Sequence, residues 1–530
     1  MDAPHAGDPP PALLAWLPHL WSRVLFPGRS SARSAVRWQA VLMLVAVPGV
    51  LLYPCLAFHL FEPDEGRYAE IAREMLARGE WVVPLLQGEP YLDKPPLLYW
   101  LTMASFRLFG VHDWSARLPP ALAVHGCVLL VYLLGRRSLG ERPAIWGALF
   151  LCLAPGFVGM GRLLLLDGLL TFFVTLSLLA AFEALRGQQL RWSWWLLSAA
   201  ACGFGLLTKG PIAVVLFVPP LLAHRWLAGG LCSVGKRPVF VFAALVLALV
   251  LPWYIAVYLR EPIFFRHFFW QHNVQRFLAP FDHVEPIWFY VPIMLGGMLP
   301  GTLLLPSFLR YLLSGRRENA ERRSPELGFM LLAGGWCLLF FTLSGSKLPT
   351  YILPAFPPLA LALGYFVCSS GWRESRWPAV AVCLMFMLLS GGHYVLVPWY
   401  ARYRSPVSRY EDLSRICGDR RTPVICYPRN CDSVSFYVGR DDVRCYRSNE
   451  IELLRQVLRD QPRTVVLCTH RHSLRGLREA LPPELQLTEV THFGLGNASG
   501  MPEWLDRKLE HLLGETALGL SDATVVEHRK

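Results

Sequence analysis

Residues 38–68 read WQAVLMLVAVPGVLLYPCLAFHLFEPDEGRY. From Trp38 to Phe61 there is no Asp, Glu, Lys or Arg, a run long enough for the roughly 20 apolar residues that cross a bilayer as a helix. Immediately after it come Glu62, Asp64, Glu65 and Arg67. The stretch therefore predicts a spanning helix that delivers a charge cluster to the membrane surface. The whole chain has the matching composition: of 530 residues 54% are hydrophobic and only 17% charged, and the mean hydropathy is +0.36. A soluble protein cannot cover that much apolar surface with so few charges, so a string of soluble domains is excluded, as are disorder, coiled coil and collagen. The 19 Trp, 18 Tyr and 30 Phe suit the two membrane interfaces. The net charge of +12 is spread through short loops between apolar runs, where it orients helices and gives no reason to expect nucleic acid as a partner.

Working outward from that stretch, residues 1–37 are Pro-rich and then Arg-rich. Their apolar part, Leu13–Leu25, is too short to span and precedes its charges, the reverse of a cleavable signal, so a cytoplasmic or interfacial arm is expected. Residues 62–116 are too rich in charge, Gly and Pro to span. Further apolar runs lie near 117–135, 143–160, 168–185, 192–208, 210–228, 239–258, 287–313, 326–343, 350–369 and 378–398. With the first they predict eleven spans, or thirteen if two of them split. The loops holding Arg136-Arg137, Arg186 to Arg191, Arg225 to Arg237, Arg316 to Arg323 and Arg373 to Arg376 are strongly basic, and the loops between them are not. The positive-inside rule then puts the N-terminus in the cytoplasm and both the 62–116 loop and the 399–530 tail outside it. That tail changes composition. Short β-like runs (Thr422–Tyr427, Ser433–Val438, Thr464–Cys468, Leu485–Val490) alternate with helical ones (Asn449–Leu458, Ser473–Leu481), predicting one small α/β domain. The fold class expected is a polytopic α-helical membrane protein, with 38–398 as its membrane domain and 399–530 as an extracytoplasmic α/β domain.

Two classes compete for function: a transporter and a membrane-embedded enzyme. Coupled transporters place ionisable residues in mid-membrane, but here only His125 sits so, and a packed, hydrogen-bonded histidine accounts for it. The ionisable residues gather at the outer helix ends instead, as a reaction at the outer surface needs. Asp64 could cap a helix running to about Ala77, with Glu65 at its positive end; alternatively Asp64 and Arg67 belong to a site. Lys94, in Tyr91-Leu-Asp-Lys-Pro-Pro, cannot lie in a regular helix because two prolines follow it. Only six of the 51 cations are lysines (Lys94, Lys209, Lys236, Lys347, Lys508 and Lys530), and three of them, Lys94, Lys209 and Lys347, stand next to or one residue from a proline at outer helix ends. In a chain that otherwise uses Arg, this favours a selected cation site, against simple interfacial snorkelling. Asp167 is an acid in an apolar setting, costly unless paired. It is expected either to find a local partner or to converge on Asp64. Arg276 and Tyr351 complete the outward set.

The stretches Asp64-Glu-Gly-Arg-Tyr-Ala-Glu-Ile-Ala-Arg-Glu-Met75, Gly79-Glu-Trp-Val-Val-Pro84, Tyr91-Leu-Asp-Lys-Pro-Pro96, His272-Asn-Val-Gln-Arg-Phe277 and Lys347-Leu-Pro-Thr-Tyr-Ile-Leu-Pro354 resemble the polyprenyl-phosphate-dependent glycosyltransferases of GT-C fold. Among these the lipid A 4-amino-4-deoxy-L-arabinose transferase branch is the nearer and the protein O-mannosyltransferases the more distant. The resemblance implies a bacterial inner-membrane enzyme, N-terminus cytoplasmic and C-terminal domain periplasmic. It would transfer a sugar from undecaprenyl phosphate, with inversion, to lipid A phosphate; the alternatives are a protein or glycan hydroxyl as acceptor, or a non-enzymatic lipid or drug exporter. It implies Asp64 and Asp167 as catalytic acids, and Arg67, Tyr91, Lys94, Lys209, Arg276, Lys347 and Tyr351 as the carrier-phosphate and substrate ligands. No cofactor is required; a divalent cation is allowed, with Asp93 and Asp167 as its ligands. The partners implied are the lipid-linked sugar, lipid A or another envelope acceptor, and membrane lipid, with no nucleic acid. Two departures bear on the sugar and the acceptor: Asp93 stands where the branch commonly has Glu, and Gly66 where it often has Thr.

Overall fold

The apolar run at the head of the membrane domain forms helix α1 (Trp38–Leu52), extended by a 3-10 turn to Cys55. The computed structural model describes residues 37–228, 232, 234–279, 283–399, 410–469, 473–492 and 522–529. The expected N-terminal arm, apart from Arg37, lies outside the described residues. The 62–116 loop is largely helical: α2 (Asp64–Arg78), a two-residue hairpin of β1 (Leu85–Leu86) and β2 (Glu89–Pro90), and α3 (Leu97–Phe109). Gln87 and Gly88 turn the hairpin with φ of 55° and 82°, the paired positive values of a tight hairpin turn. The membrane domain continues through α4 (Asp113–Leu139), α5 (Glu141–Cys152), α6 (Pro155–Gly161), α7 (Leu166–Leu185), α8 (Trp192–Lys209), α9 (Ile212–Ala228) and α10 (Lys236–Arg260). A π-helical segment, Arg266–Gln275, then leads to α11 (Tyr290–Gly297), α12 (Leu305–Leu313), α13 (Pro325–Leu343), α14 (Phe356–Ser369) and α15 (Trp377–Gly391).

All eleven apolar runs are helical, but they do not all qualify as spans. Among the described residues seven helices are long and apolar enough to cross a membrane, and nine if each of two bent pairs, 141–161 and 290–313, counts once. The 290–313 pair bends by 102°. The runs near 192–208 and 210–228 fall short of the expected eleven to thirteen spans for separate reasons. The first is diluted by three Trp and ends on Lys209, and the second is left with 17 residues once Gly210-Pro211 has broken the chain.

The C-terminal domain is a five-stranded mixed sheet of order β4-β3-β5-β7-β6, with β3 (Val424–Tyr427), β4 (Arg444–Cys445), β5 (Arg463–Cys468), β6 (Leu485–His492) and β7 (Asp522–His528). Helices α16 (Tyr410–Cys417), α17 (Asp432–Val438), α18 (Ile451–Asp460) and α19 (Ser473–Ala480) accompany it. Residues 433–438, expected as a strand, are helical. Their β-branched and aromatic content reads as a strand in isolation, but a helix sends Phe436 against Phe106 and Tyr437 against the end of the first span. One apolar core runs through the membrane domain, and two smaller clusters lie within the C-terminal sheet.

Candidate functional site

Asp64 is the first residue of α2, but it does not cap that helix: its carboxylate takes the Arg67 guanidinium at 3.3 Å, one turn on. Glu65 makes the backbone contacts instead, accepting from the Phe61 N–H at 3.0 Å and from the Leu164 N–H at 2.8 Å. Glu65 is also gripped twice by the fully buried Arg117, at 2.8 and 2.7 Å. The same guanidinium donates to the carbonyls of Leu56, Phe58 and His59 and lies 3.7 Å from the Phe58 ring centroid. This knot fixes the end of α1, the start of α2 and the α6–α7 turn to one another. It leaves Asp64 as the exposed member of the acidic pair, with 41% of its side chain accessible.

The C-terminal domain closes over the same helix. Asp432, at the start of α17, is 1% exposed and pairs with Arg67 at 3.4 Å, so Arg67 is shared between Asp64 and Asp432. The Ser433 N–H donates to Glu62 at 2.6 Å, and burial together with the nearby Asp432 pushes the Glu62 carboxyl up to about 8. Tyr437 donates to Asp113 at 2.5 Å and accepts from the Leu60 N–H. Gly66 is explained by this docking. A Cβ there would lie 2.5 Å from Glu62 Oε1 and 2.8 Å from the Ser433 nitrogen, so no side chain fits under the docked domain.

A chain of polar contacts runs from Arg67 towards the membrane. Tyr91 lies within electrostatic reach of Arg67 and hydrogen-bonds Asp93. Asp93 Oδ1 takes His267 Nε2 at 2.8 Å and His272 Nε2 at 3.2 Å. Two histidines five apart would diverge on an α-helix, but this segment is π-helical, which stacks i over i+5 and brings the rings to 4.7 Å. Burial, against the pull of Asp93, holds His272 down at about 4, so it is neutral near pH 7 with a lone pair to offer. Asp93, His267 and His272 keep their ligand atoms within 4.8 Å of one another, a donor set that fits a divalent transition metal. Asp167, expected with Asp93 as a metal ligand and as a partner of Asp64, is outside this group: Lys209 holds it at 2.5 Å.

Next to Asp93, Lys94 enters a cavity of about 440 Å³ that it lines with Lys209, Arg276, Tyr351 and His272. Most of its remaining wall is apolar, with Phe268, Phe269, Phe340 and Phe341, and Asn273, Ser344 and Ser346 are its other polar residues. Pro95 and Pro96 hold Lys94 out of α3, which begins at Leu97. Lys209 is the last residue of α8; its ammonium sits 4.2 Å from the Tyr351 ring centroid, with Asp167 behind it. Arg276 reaches Ser346 Oγ at 3.4 Å. Burial is the main influence on Lys94; Lys209 and Arg276 add to it while Asp93 and Asp64 oppose it, and its ammonium is brought down to about 8. Three cations thus face one small cavity, with Asp64 in range. Lys347 is not among the residues lining it. Its buried ammonium donates to the Glu285 carbonyl at 2.9 Å, which makes it a strut.

Sequence reasoning missed Arg117, Asp432, Glu62 and His267. The spacing His267 to His272 carries a signal only for a reader who expects a π-turn, and Arg117 and Asp432 find their partners 52 and 365 residues away.

The dolichyl-phosphate-mannose-protein mannosyltransferase family matches residues 36–269. The chain is 37% identical over 365 residues to undecaprenyl phosphate-alpha-4-amino-4-deoxy-L-arabinose arabinosyl transferase 1 of Pseudomonas fluorescens, a match covering 66% of this chain and 61% of that protein. It is 36% identical over 372 residues to the arabinosyl transferase of Edwardsiella ictaluri, covering 67% and 63%. The matched part is therefore less than two thirds of the length of these curated relatives. Among solved structures, ArnT from Cupriavidus metallidurans bound to undecaprenyl phosphate superposes with a TM-score of 0.71 at 20% identity, covering 93% of this chain and 98% of that one. The archaeal oligosaccharyltransferase AglB of Archaeoglobus fulgidus gives 0.52 at 13% identity, over 81% and 69%. The resemblance read from the motifs holds, and the chain has the polytopic GT-C architecture with its small C-terminal sheet domain.

Proposed function

We propose that this protein is a glycosyltransferase that moves a sugar from undecaprenyl phosphate to an acceptor at the outer face of the bacterial inner membrane, with the C-terminal domain in the periplasm. The observation that carries the reading is the convergence of Lys94, Lys209 and Arg276 on a cavity of about 440 Å³ with aromatic walls. Such a cavity suits a phosphate joined to an apolar chain. When the bond between the anomeric carbon and the phosphate oxygen breaks, negative charge grows on that oxygen. Lys94 and Arg276 stabilise it without proton transfer, in a setting poor in water. Lys209, oriented by Asp167, and Tyr351 hold the phosphate from the other side.

Asp64, partly exposed, paired with Arg67 and within electrostatic range of Lys94, positions the acceptor. A phosphate monoester such as that of lipid A has its second pKa near ~6 and is already an anion at neutral pH, so it attacks without a general base. This makes lipid A phosphate the acceptor we favour. Asp93, His267 and His272 would hold a divalent cation, whose contribution would be Lewis-acid charge beside the cavity. The residues themselves tie the Lys94 loop to the π-helical segment.

The test is turnover of an undecaprenyl-phosphate-linked aminoarabinose by purified protein in lipid with lipid A as the acceptor, read as release of undecaprenyl phosphate and gain of the sugar by lipid A. Lys94→Ala and Arg276→Ala are expected to lose carrier binding, at about 1.5–3 kcal/mol per charged contact. Asp64→Asn is expected to bind the carrier and not turn over; full turnover in Asp64→Asn removes it from the reaction.

A further inference from the structure

A second cavity lies far from the first. Helix α13 has Ser344 and the catalytic cavity beyond its C-terminal end, and 19 residues of helix, about 28 Å, separate these from its N-terminal end. Beside that other end, α12, the loop after it, and the residues between α14 and α15 enclose an open groove of about 970 Å³. Arg310, Arg316 and Arg322 line it, and no Asp or Glu does among the described residues. Inside the groove Tyr311 is only 5% exposed, yet its hydroxyl has no hydrogen-bond partner among the described residues; the Ser370 hydroxyl is likewise buried and unmatched. A buried hydroxyl without a partner is costly, and a ligand oxygen is what would satisfy it.

Two further features identify the ligand. Trp372 and Trp377 also line the groove, the latter 71% exposed at the start of a spanning helix, as residues of a membrane interface are. Leu309 and Leu313, 46% and 83% exposed, add apolar surface to the same groove. Guanidinium groups and unpartnered hydroxyls beside exposed apolar side chains match a phosphate carried on acyl chains. We propose that this groove binds the phosphate headgroup of an anionic phospholipid, at the membrane edge opposite the catalytic cavity.

The experiment is native mass spectrometry of the full chain in detergent, titrated with phosphatidylglycerol and, separately, with phosphatidylcholine. Phosphatidylglycerol is expected to be retained in preference. Its affinity should fall about fivefold for each of Arg310→Gln, Arg316→Gln and Arg322→Gln, and Lys94→Ala should leave it unchanged. Tyr311→Phe, which removes one oxygen and disturbs the fold least, should weaken it as well. This keeps the test decisive should the arginine variants unfold. Inorganic phosphate added in excess should not displace the lipid; displacement would assign the groove to free phosphate and overturn the lipid. Equal retention by the wild type and by both Arg316→Gln and Tyr311→Phe overturns the site altogether.

Discussion

Replacing Arg117 by Met tests the idea that the acidic motif is held from below by a buried ion pair. In the wild type the guanidinium is fully buried. It gives two hydrogen bonds to Glu65, at 2.8 and 2.7 Å, and others to the carbonyls of Leu56, Phe58 and His59. Arg117→Met leaves the Glu65 carboxylate, itself 2% exposed, without a counter-charge, and strands three carbonyls. Breaking a buried pair by removing one partner costs about 3–5 kcal/mol. That corresponds to a fall in unfolding temperature on the order of 10 °C, measured by tryptophan fluorescence in detergent. The double variant Arg117→Met with Glu65→Gln separates charge from packing. The amide oxygen still accepts from the Leu164 N–H, and the uncompensated charge is gone, so more than half of the lost stability should return. A single variant that melts with the wild type, or a double variant no more stable than the single, would refute the reasoning.

Two other outcomes follow from the docked C-terminal domain. Asp432→Asn should leave carrier binding intact and lower kcat, because Arg67 loses one of its two carboxylates and draws Asp64 inward; a rise in KM with unchanged kcat would speak against this. Glu62 has its carboxyl raised to about 8, so the folded state holds a proton that the unfolded state releases above about 4.5. Stability should therefore decline as pH rises from about 5 to 8, by at most ~1.4 kcal/mol per unit. Glu62→Gln should flatten that decline, as melting temperatures across the range will show.

The sequence was most informative where local chemistry is restrictive. Two prolines after Lys94 leave it no helical conformation, and lysine is rare in a chain that carries 51 cations, so Lys94 and Lys209 are legible from sequence alone. The same pattern misled at Lys347, because Lys-Leu-Pro fixes the backbone but does not say which way the ammonium points; a carbonyl at Glu285 took it inward. Asp167 was legible as an acid needing a partner, and the partner proved to be Lys209 and not Asp64. Residues 433–438 have the composition of a strand and fold as a helix, because strand propensity in a short segment yields to tertiary contacts, here with the membrane domain.

The docking of α17 changes what the acidic motif can be. From sequence alone, Asp64-Glu-Gly-Arg67 is a self-contained helix start on the outer surface. In the folded chain it is a layer between two domains: Glu65 faces down to Arg117, Gly66 makes room for the Ser433 backbone, and Arg67 reaches Asp432. Only Asp64 keeps a large exposed fraction. Three of the four residues of the motif are thus consumed in holding the fourth within electrostatic range of Lys94, and one of the holding groups comes from the far end of the chain. A C-terminal domain placed this way has a direct route to the chemistry of the membrane domain, through one shared guanidinium.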